Sequence, residues 1–348
     1  MQVPDTRVKW GCLLLMSLAG CGGTPQPSRV APVPPPPVTA GATMGRDEVQ
    51  VYTNGAAATA ELLRGVNEAR RSIDAEIYEF GRPDLVEAML RALRRGVEVR
   101  VLGDPTVDVT VATTRRLAAA GAIATFFPVG PRQIDHVKLM VIDGRVALFG
   151  GVNWGARSYR NQDYELRIVG PAVARLERVF AVDLGRAGGA IPAGTSSPAQ
   201  VQGPEPVLLT SFPDDQIGRA VVSALRAARR SIHVEMFVMT DAATISALTD
   251  AARRGLDVRV LFDPGQDLNQ PAMVTLRAAG ARCRFYRSGG EKLHAKVAVV
   301  DGDQLLVGSA NWTASGFRHN HELDAELVEP VLAAAVDARM DADWLAAA

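Results

Sequence analysis

From residue 48 onward the hydrophobic positions switch repeatedly between two periods. Over residues 60–71 they recur at helical spacing, over 73–80 they alternate as on a strand, and over 85–95 the helical spacing returns. Residues 97–102 form a short apolar-rich strand, and an alanine-rich helix follows near residues 113–120. Further helical stretches occupy residues 173–184 and 331–345. Strands that alternate with helices in this way predict an α/β lobe, with helices covering a largely parallel sheet.

The pattern occurs twice. Ala69-Arg70-Arg71-Ser72-Ile73-Asp74-Ala75-Glu76 is matched by Ala228-Arg229-Arg230-Ser231-Ile232-His233-Val234-Glu235. The offset is 159 residues at Arg70 and Arg229, again at Arg94 and Arg253, and again at Asp104 and Asp263, too steady for chance. Two homologous lobes are therefore expected, at residues 48–187 and 207–348, related by a pseudo-twofold axis. Residues 188–206, rich in Gly, Pro, Ser and Ala, read as the linker between them. Residues 24–38 hold seven prolines and almost no large apolar side chains, so residues 21–47 read as a semi-extended tether.

Ahead of the tether, Arg7 and Lys9 precede an apolar run at residues 12–18, too short to span a bilayer. It ends in Leu18-Ala19-Gly20-Cys21, which resembles the lipobox of bacterial lipoproteins. That resemblance implies a signal peptide over residues 1–20, acylation of Cys21 and a lipid-anchored place in the cell envelope; Gly22 favours the outer membrane. With Cys21 acylated and Cys12 removed, Cys283 is left without a disulfide partner and reads as a small buried strand residue. No Cys/His cluster has the spacing of a zinc site.

Composition adds little. Hydrophobic residues at 47% and charged residues at 22% describe a globular chain, and Lys+Arg balance Asp+Glu at 38 each. Nothing in that balance favours nucleic acid as a partner.

The chemistry is concentrated late in each lobe. His136-Val137-Lys138-Leu139-Met140-Val141-Ile142-Asp143 recurs as His294-Ala295-Lys296-Val297-Ala298-Val299-Val300-Asp301. Histidine and lysine at i and i+2 share one face of a strand, while the apolar residues between them turn to the core. Asp-Gly then signals a hairpin, and a second apolar strand leads to Gly150-Gly151-Val152-Asn153-Trp154 and Gly308-Ser309-Ala310-Asn311-Trp312.

These residues resemble the signature of the phospholipase D superfamily, His-x-Lys-x4-Asp followed by Gly-Ser-x-Asn. The second copy fits throughout, whereas the first has Gly151 in place of serine. The resemblance covers nearly all of the chain beyond the tether. It implies one site built from both motifs, with His136 as nucleophile and His294 as general acid and base, or the reverse. Lys138, Lys296, Asn153, Asn311 and Ser309 would bind phosphate, neutralising the charge that grows on its oxygens, so no metal or cofactor is expected. Glu165 and Glu322 are candidates to fix a catalytic imidazole. Asp143 and Asp301 belong to the motif, but Asp-Gly is also a turn former in its own right. His319 and His321 read as solvated loop residues, and Trp154 and Trp312 as core wedges.

The function expected is a phosphodiesterase that cleaves phospholipid headgroups through a phosphohistidine, with possible transfer to an alcohol. Alternatives are a cardiolipin synthase-like phosphatidyltransferase, a phospholipase D-like endonuclease and a non-catalytic envelope protein that binds lipid. Because one chain holds both motifs, the site is complete without a second copy, and a monomer is expected.

Overall fold

The computed structural model describes residues 39–189, 205–211, 214–287 and 291–347. The expected signal peptide, acylated Cys21 and most of the linker lie outside these residues. Residues 39–47, read as the end of the tether, instead belong to the first lobe. There β1 (Thr39–Met44) pairs antiparallel with β2 (Asp47–Tyr52), and Met44 and Asp47 are buried.

In the first lobe the remaining elements follow as α1 (Gly55–Glu68), β3 (Ser72–Ile77), α2 (Pro83–Arg94), β4 (Glu98–Gly103), α3 (Asp108–Ala119) and β5 (Ile123–Phe126). The hairpin β6 (Lys138–Ile142) and β7 (Val146–Gly150), then β8 (Glu165–Val169) and α4 (Ala172–Arg186), complete it. The second lobe repeats the order with β9 (Val207–Thr210), α5 (Gln216–Ala227), β10 (Ser231–Met236), α6 (Ala242–Arg253), β11 (Asp257–Phe262), α7 (Gln270–Ala278) and β12 (Arg282–Phe285). It ends with β13 (Lys296–Val300), β14 (Gln304–Gly308), α8 (Ala314–Arg318), β15 (Leu323–Val328) and α9 (Pro330–Ala346). Local sequence explains the boundaries. Asn54 caps α1 by accepting from Ala57 N at 2.8 Å, and Pro83 starts α2, where a missing N–H costs nothing.

Each lobe is the layered α/β unit expected, but its sheet is mixed rather than largely parallel. The first sheet runs β1-β2-β8-β7-β6-β3-β4-β5 and the second β12-β11-β10-β13-β14-β15-β9. Only β3-β4-β5 and β10-β11-β12 are parallel; the other pairings are antiparallel. The parallel neighbours follow one another through the crossover helices α2, α3, α6 and α7. The hairpins β1–β2, β6–β7 and β13–β14 can only return antiparallel, and longer connections bring β8 and β15 back antiparallel as well.

Three large apolar clusters hold this arrangement. Outer clusters join each sheet to its own helices, for example Ile73, Met140 and Ile142 with Leu62, and Ile232, Ala298 and Val300 with Leu248. The third is common to both lobes: Val137, Leu139 and Val141 join Ala295, Val297 and Val299, with Phe180 of α4 and Val336 of α9. Strands β6 and β13 are thus buried on both faces, which is why their sequences read as continuous apolar runs. Cys283 is free and buried on β12, and its burial pushes the thiol up to about 12. Among the described residues no helix is long and apolar enough to cross a membrane.

Candidate active site

The two motif strands begin at the seam between the lobes. His136 N donates to His321 O at 2.8 Å and His321 N to Ile134 O at 2.9 Å. The second lobe mirrors this: His294 N donates to Gln162 O and Gln162 N to Lys292 O, both at 2.9 Å. Each histidine is therefore fixed, backbone first, to the lobe it does not belong to.

The side chains cross the same seam. Nδ1 of His136 lies 2.8 Å from Oε2 of Glu322, and Nδ1 of His294 lies 2.7 Å from Oδ2 of Asp163. A carboxylate at Nδ1 holds that nitrogen as the N–H, leaving Nε2 as the lone-pair nitrogen. Tyr78 stands edge-on to the His136 ring at 4.9 Å, and its repeat counterpart Phe237 lies against His294 at 4.8 Å. Lys138 and Lys296 open strands β6 and β13, almost wholly buried. Lys138 Nζ donates to the carbonyl of His136 and Lys296 Nζ to that of His294.

The electrostatics follow from burial. Desolvation, then the two lysine charges, push His136 well below the usual imidazole range, and desolvation with Lys296 takes His294 down to about 3. Both lysines act on His136, so the two motifs share one electrostatic site. Desolvation also lowers Lys138 to about 8 and Lys296 to about 7, and raises Glu322 to about 7. The site thus holds neutral imidazoles and ammonium groups that a phosphate anion would stabilise.

Several expected residues take other places. Glu165 is not an imidazole partner: it starts β8 on the strand side of Asp163, its Oε2 meets only Val152 N, at 3.4 Å, and its Oε1 has no hydrogen bond. The repeat offset held the signal, since 159 residues separate Glu322 from Asp163 and not from Glu165. The hydroxyl of Ser309, expected to meet phosphate, is instead engaged with Glu322. Ser309 is fully buried, its hydroxyl donates to Glu322 Oε2 at 2.6 Å, and it accepts from Leu323 N at 3.0 Å. Ser211 also supports Glu322, accepting from its backbone N at 3.0 Å, and no sequence signal pointed to it.

Asp143 and Asp301 leave the site altogether. They sit in the hairpin at the far end of β6 and β13, with φ of 55° and 54°. Asp143 accepts from the backbone N–H groups of Arg70, Arg71 and Ser72, and Asp301 from those of Arg229, Arg230 and Ser231. Against a burial that works the other way, those N–H groups hold both carboxyls below their ordinary value. The motif aspartates tie the hairpin to the loop entering β3 or β10. A cavity of about 910 Å³ lies at that end, lined by Arg64, Arg70, Asp143 and Arg145. It is separated from the histidines by the length of β6.

Asn153 and Asn311 do lie at the histidine end, just beyond β7 and β14, and the Oδ1 atom of each is buried without a hydrogen bond. Trp154 and Trp312 are core residues. His319 is exposed, whereas His321 is buried, contrary to the loop reading. Its ring stacks on Phe127 at 4.7 Å, and its Nε2 is 2.9 Å from Asp183 Oδ2.

Comparison with known proteins agrees with the geometry. The family model described as "Cardiolipin synthase, PLD-like domain" matches residues 62–183 and 221–344. The major cardiolipin synthase of Bacillus subtilis is 28% identical over 324 residues, covering 82% of this chain and 67% of the relative. Cardiolipin synthase A of Pseudomonas aeruginosa is 28% identical over 335 residues, covering 87% and 68%. Among solved structures, phosphatidylserine synthase of Haemophilus influenzae shares the fold, with a TM-score of 0.65 at 13% identity over 88% of this chain and 87% of that one.

Proposed function

The chain belongs to the cardiolipin synthase, PLD-like domain family, and on that footing we propose that it is a phosphatidyltransferase working through a phosphohistidine. The observation that carries this reading is the crossed pair of imidazole–carboxylate contacts, His136 with Glu322 and His294 with Asp163, beside two buried lysines. One imidazole can attack while its equivalent from the other lobe handles protons.

In the first step Nε2 of His136 attacks phosphorus as the bond to the headgroup oxygen breaks. The departing oxygen takes a proton from His294, which the bound phosphate anion helps to charge. Lys138, Lys296, Asn153 and Asn311 hold the phosphoryl oxygens. In the second step His294 removes the proton of an acceptor hydroxyl, whose oxygen displaces Nε2 and restores His136. The two histidines can exchange roles without altering this balance. The names of the relatives favour an alcohol over water as acceptor: it would be the glycerol headgroup of a second phospholipid, giving cardiolipin. An acylated Cys21 would keep the enzyme at the envelope membrane that holds both substrates.

The test uses the full mature chain with phosphatidylglycerol vesicles and ethanol, products read by mass spectrometry, beside His136→Ala. Cardiolipin or phosphatidylethanol that depends on His136 supports transfer. Phosphatidic acid as the sole product would move the reading to headgroup hydrolysis. Absence of any lipid product, with cleavage of DNA instead, would overturn it in favour of a nuclease.

A further inference from the structure

Beside the active site the seam contains a second cluster that the proposed chemistry does not use. Glu76 on β3, Asp135 just before His136, and His321 just before Glu322 are all buried, at 0%, 0% and 1% exposure. One potential ligand atom from each lies within 4.8 Å of the other two. Neither oxygen of Asp135 takes a hydrogen bond, nor does Nδ1 of His321, and Glu76 has only an ion-pair contact, its Oε1 3.4 Å from His321 Nε2. Asp183 of α4 sits 2.9 Å from His321 Nε2, where it can accept that N–H and orient the ring, as carboxylates do behind ligating imidazoles. A single imidazole facing the carboxyl groups of Glu76, Asp135 and Asp183 cannot neutralise all three, so the cluster demands either protons or a further cation.

The duplication provides an internal control. In the second lobe the counterpart of Glu76 is Glu235, which accepts from the Tyr164 hydroxyl at 2.9 Å beside the Arg339–Asp343 ion pair. The counterpart of Asp135 is Leu293, and that of His321 is Gln162, whose amide donates to Thr53 O at 3.0 Å. One copy of the seam is thus served by a phenol, an arginine and an amide. The other has gathered two carboxylates and an imidazole around the same glutamate position, with both Asp135 oxygens, Glu76 Oε2 and His321 Nδ1 left without a partner.

We propose that Glu76, Asp135 and His321 form a buried site for one divalent first-row metal ion, zinc or manganese, that pins the second lobe to the first next to His136. An imidazole with carboxylates is a donor set that both ions accept. Two ligands come from the first lobe and one from the second, so the ion would be a cross-link. This departs from the sequence expectation of no metal, which looked for ligands close together in the chain; residues 76, 135 and 321 meet only in the fold.

The inference concerns binding and stability and stands apart from the transferase reading. The full mature chain, purified without chelators, should contain close to one zinc or manganese per chain by plasma mass spectrometry. Stripping with EDTA should lower Tm by roughly 5 °C, and ZnCl2 or MnCl2 should restore it. Glu76→Gln and Asp135→Asn should each abolish both the metal and the chelator effect. If the parent protein, dialysed against ZnCl2 or MnCl2, holds no metal and keeps its Tm, the proposal is wrong and the carboxyl groups share protons instead. Undiminished binding in both variants would equally overturn it, because the ion would then lie elsewhere. Should either variant fail to fold, the parent measurements decide alone.

Discussion

Gly151 stands where the family signature has serine, and restoring that serine should damage the enzyme. A Cβ at position 151 would lie 2.1 Å from Oδ1 of Asp163 and 2.8 Å from its Cγ. That carboxylate cannot yield freely: Oδ2 holds His294 Nδ1 at 2.7 Å, and Oδ1 accepts from Tyr164 N at 3.0 Å. Gly151→Ser must therefore push Asp163 off the imidazole. A hydrogen bond to a charged group contributes about 1.5–3 kcal/mol, and each 1.4 kcal/mol is tenfold in rate, so kcat should fall roughly 10- to 150-fold.

The second lobe shows how serine can be accommodated. Glu322 is one methylene longer than Asp163, and Ser309 donates to it at 2.6 Å instead of colliding with it. Gly151→Ser combined with Asp163→Glu should accordingly recover most of the activity that the single change removes, a coupling that a double-mutant cycle measures directly. The assay is the initial rate of phosphatidyl transfer, with Tm followed in parallel to separate misfolding from misplacement. A Gly151→Ser enzyme with parental kcat would refute the reasoning. So would a double variant no better than the worse of its parents.

Other outcomes follow from the same contacts. Lys296 and Lys138, lowered to about 7 and about 8, must be charged to hold phosphate, so kcat/KM should decline as pH rises through that range. Stability should move the opposite way: a lysine with a lowered folded value binds fewer protons folded than unfolded, so between about pH 7 and 10.5 its contribution makes the free protein more stable as pH rises. A kcat/KM that keeps rising to pH 9 would contradict the first statement. Asp143→Ala should cost about 1 kcal/mol in urea unfolding, because water can partly replace its hydrogen bonds to the backbone N–H groups, with kcat unchanged; a large fall in kcat at intact stability would return Asp143 to the chemistry. Ser309→Ala should lower kcat by loosening Glu322 while leaving KM nearly unchanged, whereas a phosphate ligand would raise KM.

What could be read from the chain, and what could not, divides along a physical line. Periodicity reports how a segment faces its own lobe, so the helices, the motif strands and the duplication were legible. Strands β1, β2, β8, β9 and β15 gave weaker signals because most of them are short or carry polar residues, and the antiparallel character of the sheet is a property of partners, not of any one segment. The site divides in the same way. His136, Lys138, His294 and Lys296 announce themselves by spacing within a strand. Their partners do not, because Glu322 serves the first lobe and Asp163 the second. Reading the two copies separately singled out the nearest glutamate, Glu165, which faces a backbone amide instead. Superposing the copies would have placed Asp163 opposite Glu322, and would also have explained Gly151, since a shorter acid close to the strand needs a neighbour without a side chain. In a duplicated protein the informative comparison is therefore between the copies: where they agree they mark the chemistry, and where they differ together, as at Gly151 with Asp163 against Ser309 with Glu322, they reveal which residues touch.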